Sequence, residues 1–121
     1  MARPIHFEIP ADDPARAIEF YAQALGWKAQ KFDGMEYWLV STGAEGEPGI
    51  DGGISPRRDP GERAVNVMGV ESVTEALRRI ERAGGTITLP RMAIPGVGWV
   101  AYALDTEGNP FGVFRDDSQA A

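Results

Sequence analysis

The sequence contains an internal repeat about half as long as the chain itself. A shift of 59 positions superimposes three pairs of dipeptides without a gap: Ala17-Ile18 on Ala76-Leu77, Leu25-Gly26 on Gly84-Gly85, and Gly53-Ile54 on Gly112-Val113. These matches fall within a predicted helix, at its end and in a late strand. Because the period is too long for a solenoid repeat, it predicts two copies of one larger module.

Each copy shows the pattern of one strand, one helix and three further strands. In the first copy the strands are predicted at 4–9, 27–31, 36–41 and 50–55, with a helix over 15–25. In the second copy they are predicted at 64–70, 86–89, 98–104 and 111–115, with a helix over 72–83. We therefore predict an α+β fold, in which two paired βαβββ modules form a curved, cup-shaped mixed sheet with the helices outside.

The length of 121 residues fits one domain with a core of its own. Within it we place module 1 at about 4–55 and module 2 at about 64–115. The segment 56–63, which reads PRRDPGER, has the composition of a linker between them.

Composition excludes several classes of function. The net charge of −6 argues against a nucleic-acid partner, which Lys and Arg clusters would bind. The longest apolar stretch, 92–104, is shorter than the ~20 residues of a membrane span. The first ten residues lack the apolar core of a signal peptide, so a cytoplasmic protein is expected. With no cysteine and one histidine, thiolate chemistry and metal sites with two histidines from one chain are also excluded.

The first strand carries the best candidates for acid–base chemistry. Strand alternation separates His6 and Glu8 from the apolar side chains on the other face. Asp51, which shares a face with Gly53, is expected to point into the same cavity. A carboxylate beside an imidazole orients it and raises its basicity, so the three residues are candidate catalytic groups. The alternative is that His6 and Glu8 only pair with each other, or with an arginine such as Arg91.

Aromatic side chains on the later strands are candidate ligand contacts. Trp38, Trp99 and Tyr102 lie on predicted strands, and with Arg91 they form the predicted ligand-binding set. Trp99 and Tyr102 are an odd number of residues apart, so only one of them faces the cup. We expect Trp38 or Trp99 to face the ligand.

Four segments together resemble a known superfamily: 15–27 (ARAIEFYAQALGW), 50–54 (IDGGI), 73–85 (VTEALRRIERAGG) and 93–114 (AIPGVGWVAYALDTEGNPFGVF). The sequence is similar to the vicinal oxygen chelate, or glyoxalase/bleomycin-resistance/dioxygenase, superfamily. It is most similar to small single-domain members related to lactoylglutathione lyase. The resemblance implies a U-shaped sheet around a pocket that usually holds a divalent metal ion through four side chains.

The resemblance places those four side chains at His6, Gly53, Val65 and Gly112. Only His6 has a donor atom, whereas a catalytic metal ion generally needs three or more protein ligands. We therefore predict neither metal nor cofactor, unless Glu8 or Asp51 has taken over as an oxygen ligand.

Three function classes follow from these observations. The first is a metal-independent protein that binds a small organic molecule in the cup, where Glu8 and Asp51 suit a cationic or polar aromatic ligand. The second is a metal-independent lyase or isomerase that uses His6 with Glu8 or Asp51 as acid and base. The third is an interaction domain with a vestigial pocket. A homodimer is expected, because one copy leaves strand edges uncovered.

Overall fold

A computed structural model describes all residues from Met1 to Ala121. Module 1 consists of β1 (Arg3–Ala11), α1 (Pro14–Leu25), β2 (Lys28–Lys31), β3 (Trp38–Ser41) and β4 (Asp51–Pro56). Module 2 consists of β5 (Val65–Gly69), α2 (Val73–Arg82), β6 (Thr86–Ile94), β7 (Gly98–Leu104) and β8 (Pro110–Asp116). The βαβββ order predicted from the repeat is confirmed in both halves.

Both modules pair their strands in the same way. Module 1 has the order β2-β3-β4-β1, in which only the β1–β4 pair is parallel. Module 2 has the order β6-β7-β8-β5, in which only the β5–β8 pair is parallel. Each module therefore forms a four-stranded mixed sheet. The predicted α+β class is confirmed.

Contacts within the chain divide it into two compact units. One contains Ile5–Val65, and the other contains Met1–Pro4 together with Asn66–Ala121. The boundary therefore lies at the start of β5. The assignment of a single domain with a linker over 56–63 stays a prediction.

Local signals at both ends explain why α1 forms where it does. The side chain of Asp13 caps the helix by accepting a hydrogen bond from the backbone N–H of Arg16, and Pro14 opens the first turn. Gly26 ends the helix in the left-handed conformation with φ 75°. The apolar side of α1 packs on one face of the module 1 sheet. The core there consists of Ala11, Val40 and Ile54, surrounded by Phe7, Ile9, Ala17, Ile18, Tyr21 and Trp27.

Helix α2 forms the corresponding layer in module 2. Ser72 caps it by accepting a hydrogen bond from the backbone N–H of Glu75. Val73 and Ala76 on its apolar side form a buried core with Ala101 of β7 and Val113 of β8. Neither α1 nor α2 is long and apolar enough to cross a bilayer.

Two strands are longer than their sequence patterns predict. Strand β1 continues through Pro10, which pairs with Ser55 and does not end the strand. Strand β6 extends to Ile94 rather than ending at Leu89. Its pairing with β7 shifts register on both sides of Leu89. These irregularities accommodate Pro90, which has no N–H for a regular ladder.

Candidate functional site

Strand register in module 1 brings polar residues together on the side of the sheet away from α1. His6 pairs with Asp51 and Glu8 pairs with Gly53 between the parallel strands β1 and β4. Leu39 pairs with Gly53 from the other side. Residues directly opposite each other point to the same face. His6, Glu8 and Asp51 therefore share one face, on which α1 does not pack.

The side chain at the centre of this group is Tyr37, which is not among the residues predicted from the sequence. Its hydroxyl oxygen lies 2.7 Å from Nε2 of His6. The same hydroxyl donates to Oε2 of Glu8 over 3.4 Å. Tyr37 thus links the imidazole to the carboxylate, which otherwise sit two residues apart on β1.

Tyr37 occupies this place because residue 53 has no side chain. A Cβ atom at Gly53 would lie 1.9 Å from the Tyr37 hydroxyl oxygen and 2.0 Å from its Cζ. No real pair of atoms tolerates such distances, so the phenol fills the volume of a side chain at position 53. Strand alternation is the sequence signal that could have placed Tyr37 on this face. Tyr37 comes two residues before Leu39, which lies opposite Gly53.

Burial keeps the imidazole and the phenol neutral. Desolvation lowers the pKa of His6 from its usual value of 6.5, and the charges of Glu8 and Asp51 only partly oppose this. Desolvation is also the largest cause that raises the pKa of Tyr37, followed by the charge of Glu8 and its hydrogen bond. At pH 7 the centre of the group therefore carries no positive charge.

Asp51 is held at the rim of the group by the residue that follows β3. Its Oδ1 accepts a hydrogen bond from the backbone N–H of Thr42 at 2.9 Å and another from the Thr42 hydroxyl at 3.3 Å. The carboxylate is exposed, yet it is close enough to His6 to influence its pKa. The group thus combines two acidic side chains with a neutral histidine and a neutral tyrosine.

The predicted ligand-binding aromatics lie elsewhere. Trp38 pairs with the fully buried Ile54, so it is on the α1 side of module 1. Trp99 packs against the α2 core of module 2. Both tryptophans are therefore on the side of the sheet that carries the helix, whereas one of them was expected to face the ligand. Tyr102 comes three residues after Trp99 on β7, where it pairs with Gly112. Because side chains alternate along a strand, Tyr102 lies on the side of the sheet away from α2.

Arg91 and Trp99 meet in a separate cleft of module 2, with a volume of about 240 Å³. The guanidinium of Arg91 stacks over the Trp99 ring at 4.1 Å from its centroid. The indole N–H of Trp99 donates to Oδ2 of Asp117 at 3.0 Å. Arg115 lines the same cleft and donates to the backbone carbonyl of Glu71. This cleft brings together two of the four predicted ligand-binding residues.

The four positions implied for a metal ion do not fit one. Val65 has no donor atom, and the space at Gly53 is filled by Tyr37. A Cβ atom at Gly112 would lie 3.0 Å from Cε1 of Tyr102, so an aromatic ring abuts this glycine as well. No three His, Asp or Glu side chains of the chain are arranged to hold a metal ion, so Glu8 and Asp51 do not complete a site around His6.

Comparison with protein families gives one match. Residues 3–43, about the first third of the chain, match the model of the bleomycin resistance protein-like N-terminal family. This segment contains β1, α1, β2 and β3, and with them His6, Glu8 and Tyr37. No curated protein sequence matches the chain significantly.

Solved structures with a similar fold cover nearly the whole chain. A glyoxalase/bleomycin resistance protein/dioxygenase superfamily member from Vibrio splendidus 12B01 aligns over 96% of this chain and 100% of its own, with a TM-score of 0.70 and 14% identity. A Streptomyces coelicolor methylmalonyl-CoA epimerase variant in complex with 2-nitronate-propionyl-CoA aligns over 100% and 99%, with a TM-score of 0.69 and 15% identity. A Legionella pneumophila protein described as an NAD-dependent benzaldehyde dehydrogenase aligns over 93% and 98%, with a TM-score of 0.68 and 15% identity.

These likenesses confirm the resemblance at the level of the fold. The chain has the vicinal oxygen chelate fold of the glyoxalase/bleomycin resistance/dioxygenase superfamily. At 14–15% identity the neighbours carry different described activities, and the fold alone does not select one of them.

Proposed function

We propose that this chain, with its glyoxalase/bleomycin resistance/dioxygenase fold, is a binding protein for small aromatic cations and works without a metal ion. The observation that carries the proposal is the group formed by His6, Tyr37, Glu8 and Asp51. It presents two carboxylates around a neutral imidazole–phenol pair. The match of the first third of the chain to a bleomycin resistance protein-like model also favours a binding role.

The charges of the group favour a cation. Glu8 and Asp51 are acidic, and burial lowers the pKa of His6, so the imidazole adds no positive charge at pH 7. Leu39 lies on the same face and is 43% exposed, which provides apolar surface for an aromatic ring. Ligand sites generally combine apolar surface with a few polar groups that fix orientation.

The four residues predicted from the sequence to contact a ligand differ in how well the structure supports that role. Tyr102 lies beside Gly112 as Tyr37 lies beside Gly53, and we retain it as a candidate ligand contact. Arg91 and Trp99 would contact a ligand only in their own cleft in module 2. Trp38 is the weakest candidate, because it lies on the α1 side.

Isothermal titration calorimetry with benzylammonium, benzyl alcohol and benzoate tests the proposal. We expect the cation to bind and the neutral and anionic compounds to bind at least ten-fold more weakly. Glu8→Gln and Asp51→Asn should each weaken cation binding about ten-fold, since each removes a charged partner. Glu19→Gln, on α1 and on the other side of the module 1 sheet, is the matched control and should leave binding unchanged. Equal binding of all three compounds, or an effect of Glu19→Gln as large as that of Glu8→Gln, would refute the proposal.

A second candidate is a metal-independent lyase or isomerase that uses His6 as the base. The lowered pKa of His6 favours it, because a neutral imidazole accepts a proton at pH 7. Proton abstraction next to a carbonyl group would then exchange that proton with solvent. NMR in D2O on small carbonyl compounds should show exchange that His6→Ala abolishes. If His6→Ala weakens ligand binding while no exchange occurs in the wild type, the binding role stands alone.

We also propose that the chain is a cytoplasmic homodimer. Phe20 and Leu25 on α1 remain 60% and 58% exposed, and Met92 on β6 remains 46% exposed. A symmetric contact with a second copy would cover such side chains.

A further inference from the structure

We propose that the hydrogen bonds from His6 through Tyr37 to Glu8 run in one direction, with the imidazole donating and the carboxylate accepting. We further propose that this direction makes the site selective for cations with at least two N–H donors, such as amidinium or guanidinium groups, over quaternary ammonium ions. Tyr37 is then the specificity-determining residue. This selectivity rests on the proposed cation-binding function, whereas the direction of the hydrogen bonds does not.

The direction follows from the number of protons available. A carboxylate only accepts hydrogen bonds, and a phenol has one hydrogen to donate. When Tyr37 donates to Oε2 of Glu8, its oxygen has only lone pairs left for His6. The 2.7 Å contact with Nε2 of His6 is then a hydrogen bond only if Nε2 carries the proton.

The reverse direction leaves an unfavourable contact. If Tyr37 donated to Nε2 of His6, its oxygen would present lone pairs to the Glu8 carboxylate at 3.4 Å. The group is half-buried, so water screens this repulsion less than it would at an open surface.

The direction determines what the imidazole offers to a ligand. With the proton on Nε2, the neutral ring of His6 has an acceptor lone pair on Nδ1. Asp51 faces His6 across the β1–β4 pair and contributes carboxylate oxygens, which only accept. A ligand placed between them therefore meets acceptors, and the matching ligand is one that donates twice.

This pattern separates donor-bearing cations from cations in general. Benzamidine carries an aromatic ring, one positive charge and several N–H donors. Benzyltrimethylammonium carries a ring and the same charge but no donor. Attraction by charge alone would treat them similarly, whereas two charged hydrogen bonds predict a ten- to hundred-fold preference for benzamidine.

The tautomer can be measured directly because His6 is the only histidine of the chain. Two-dimensional ¹⁵N–¹H NMR of the imidazole at pH 7.5 should show the protonated nitrogen as the one coupled to both ring protons, which identifies Nε2. In Tyr37→Phe the ring still fits over Gly53 but accepts no hydrogen bond, so the Nε2–H population should fall. A proton on Nδ1 in the wild-type protein would overturn the proposed direction.

Binding of the two cations tests the selectivity. We expect the wild type to bind benzamidine ten- to hundred-fold more tightly, and Tyr37→Phe to reduce that preference to a few-fold. Tyr21→Phe, which removes a hydroxyl on the α1 side of the sheet, is the control and should keep the wild-type preference. Equal wild-type affinity for both cations would overturn the selectivity while leaving the binding function intact. Failure of both to bind would refute the binding function and the selectivity together, while the tautomer measurement would still decide the direction.

Discussion

Replacing Gly53 by alanine should dismantle the His6–Tyr37–Glu8 group without removing any of its members. The new Cβ atom would lie 1.9 Å from the Tyr37 hydroxyl oxygen, 2.0 Å from Cζ and 2.5 Å from Cε1. Position 53 is in the middle of β4, paired on both sides, so its backbone has little freedom to retreat. The Tyr37 side chain must therefore move away from position 53.

The expected loss of stability is about 2 kcal/mol. Tyr37 would lose its hydrogen bond to His6, with a net contribution of about 1 kcal/mol, and its longer, weaker bond to the Glu8 carboxylate, which contributes about 0.5 kcal/mol. Exposing part of the ring costs about 1 kcal/mol more. Alanine in a strand recovers about 0.5–1 kcal/mol of backbone entropy relative to glycine.

Urea denaturation of a double-mutant cycle measures this coupling. Gly53→Ala should cost about 2 kcal/mol in the wild type, whereas in a Tyr37→Ala background, where nothing occupies the space, it should recover about 0.5–1 kcal/mol. Gly61→Ala is the control, because its Cβ atom would only make an ordinary contact of 3.5 Å with Asp59. An equal cost of Gly53→Ala in both backgrounds would show that Tyr37 is not the obstacle, and the reasoning about position 53 would fail.

Three further predictions concern protons, metal ions and assembly. Burial lowers the pKa of His6 below 6.5 in the folded chain, so below that pH the unfolded chain binds a proton that the folded chain does not. The free energy of unfolding should therefore fall as the pH drops below 6.5. Urea midpoints measured between pH 7.5 and 5 should show this fall, and His6→Gln should remove it. Elemental analysis of the purified protein should find no stoichiometric Ni, Zn, Fe or Mn. The prediction would be wrong if the wild type carried about one metal ion per chain and His6→Ala lost it. Light scattering at micromolar concentration should give twice the monomer mass of 13.1 kDa, and Phe20→Glu should shift it to the monomer value, whereas a wild-type monomer would refute the dimer.

The fold was accessible from the sequence because its signals are local and appear twice. Alternation on β1, a capping aspartate at Asp12 or Asp13 and the stop at Gly26 each depend on a few neighbouring residues, and the structure shows Asp13 as the cap. The 59-residue repeat then fixed the order of the elements in module 2 from that in module 1. Strand parity also placed His6, Glu8 and Asp51 on one face, although their chemical roles stay predictions.

The centre of the site was not accessible in the same way. Tyr37 meets His6 and Glu8 across 31 and 29 positions of sequence, through a loop whose path no periodicity describes. Strand alternation predicts that Trp99 and Tyr102 lie on opposite faces of the sheet, but it does not predict which of them lies on the α2 side. The register of β7 with β8 and the packing against α2 determine this. Long-range pairing therefore determines the features that composition and alternation leave open.

The occupation of the Gly53 volume by Tyr37 constrains how the sequence of this chain can change. A carboxylate or imidazole side chain at position 53 and a phenol from position 37 compete for the same space, so the two arrangements exclude each other. A lineage that exchanges one for the other must pass through glycine at position 53 or a small residue at position 37. Substitutions at these two positions are therefore epistatic, and the tolerance of either one depends on which residue already occupies the other.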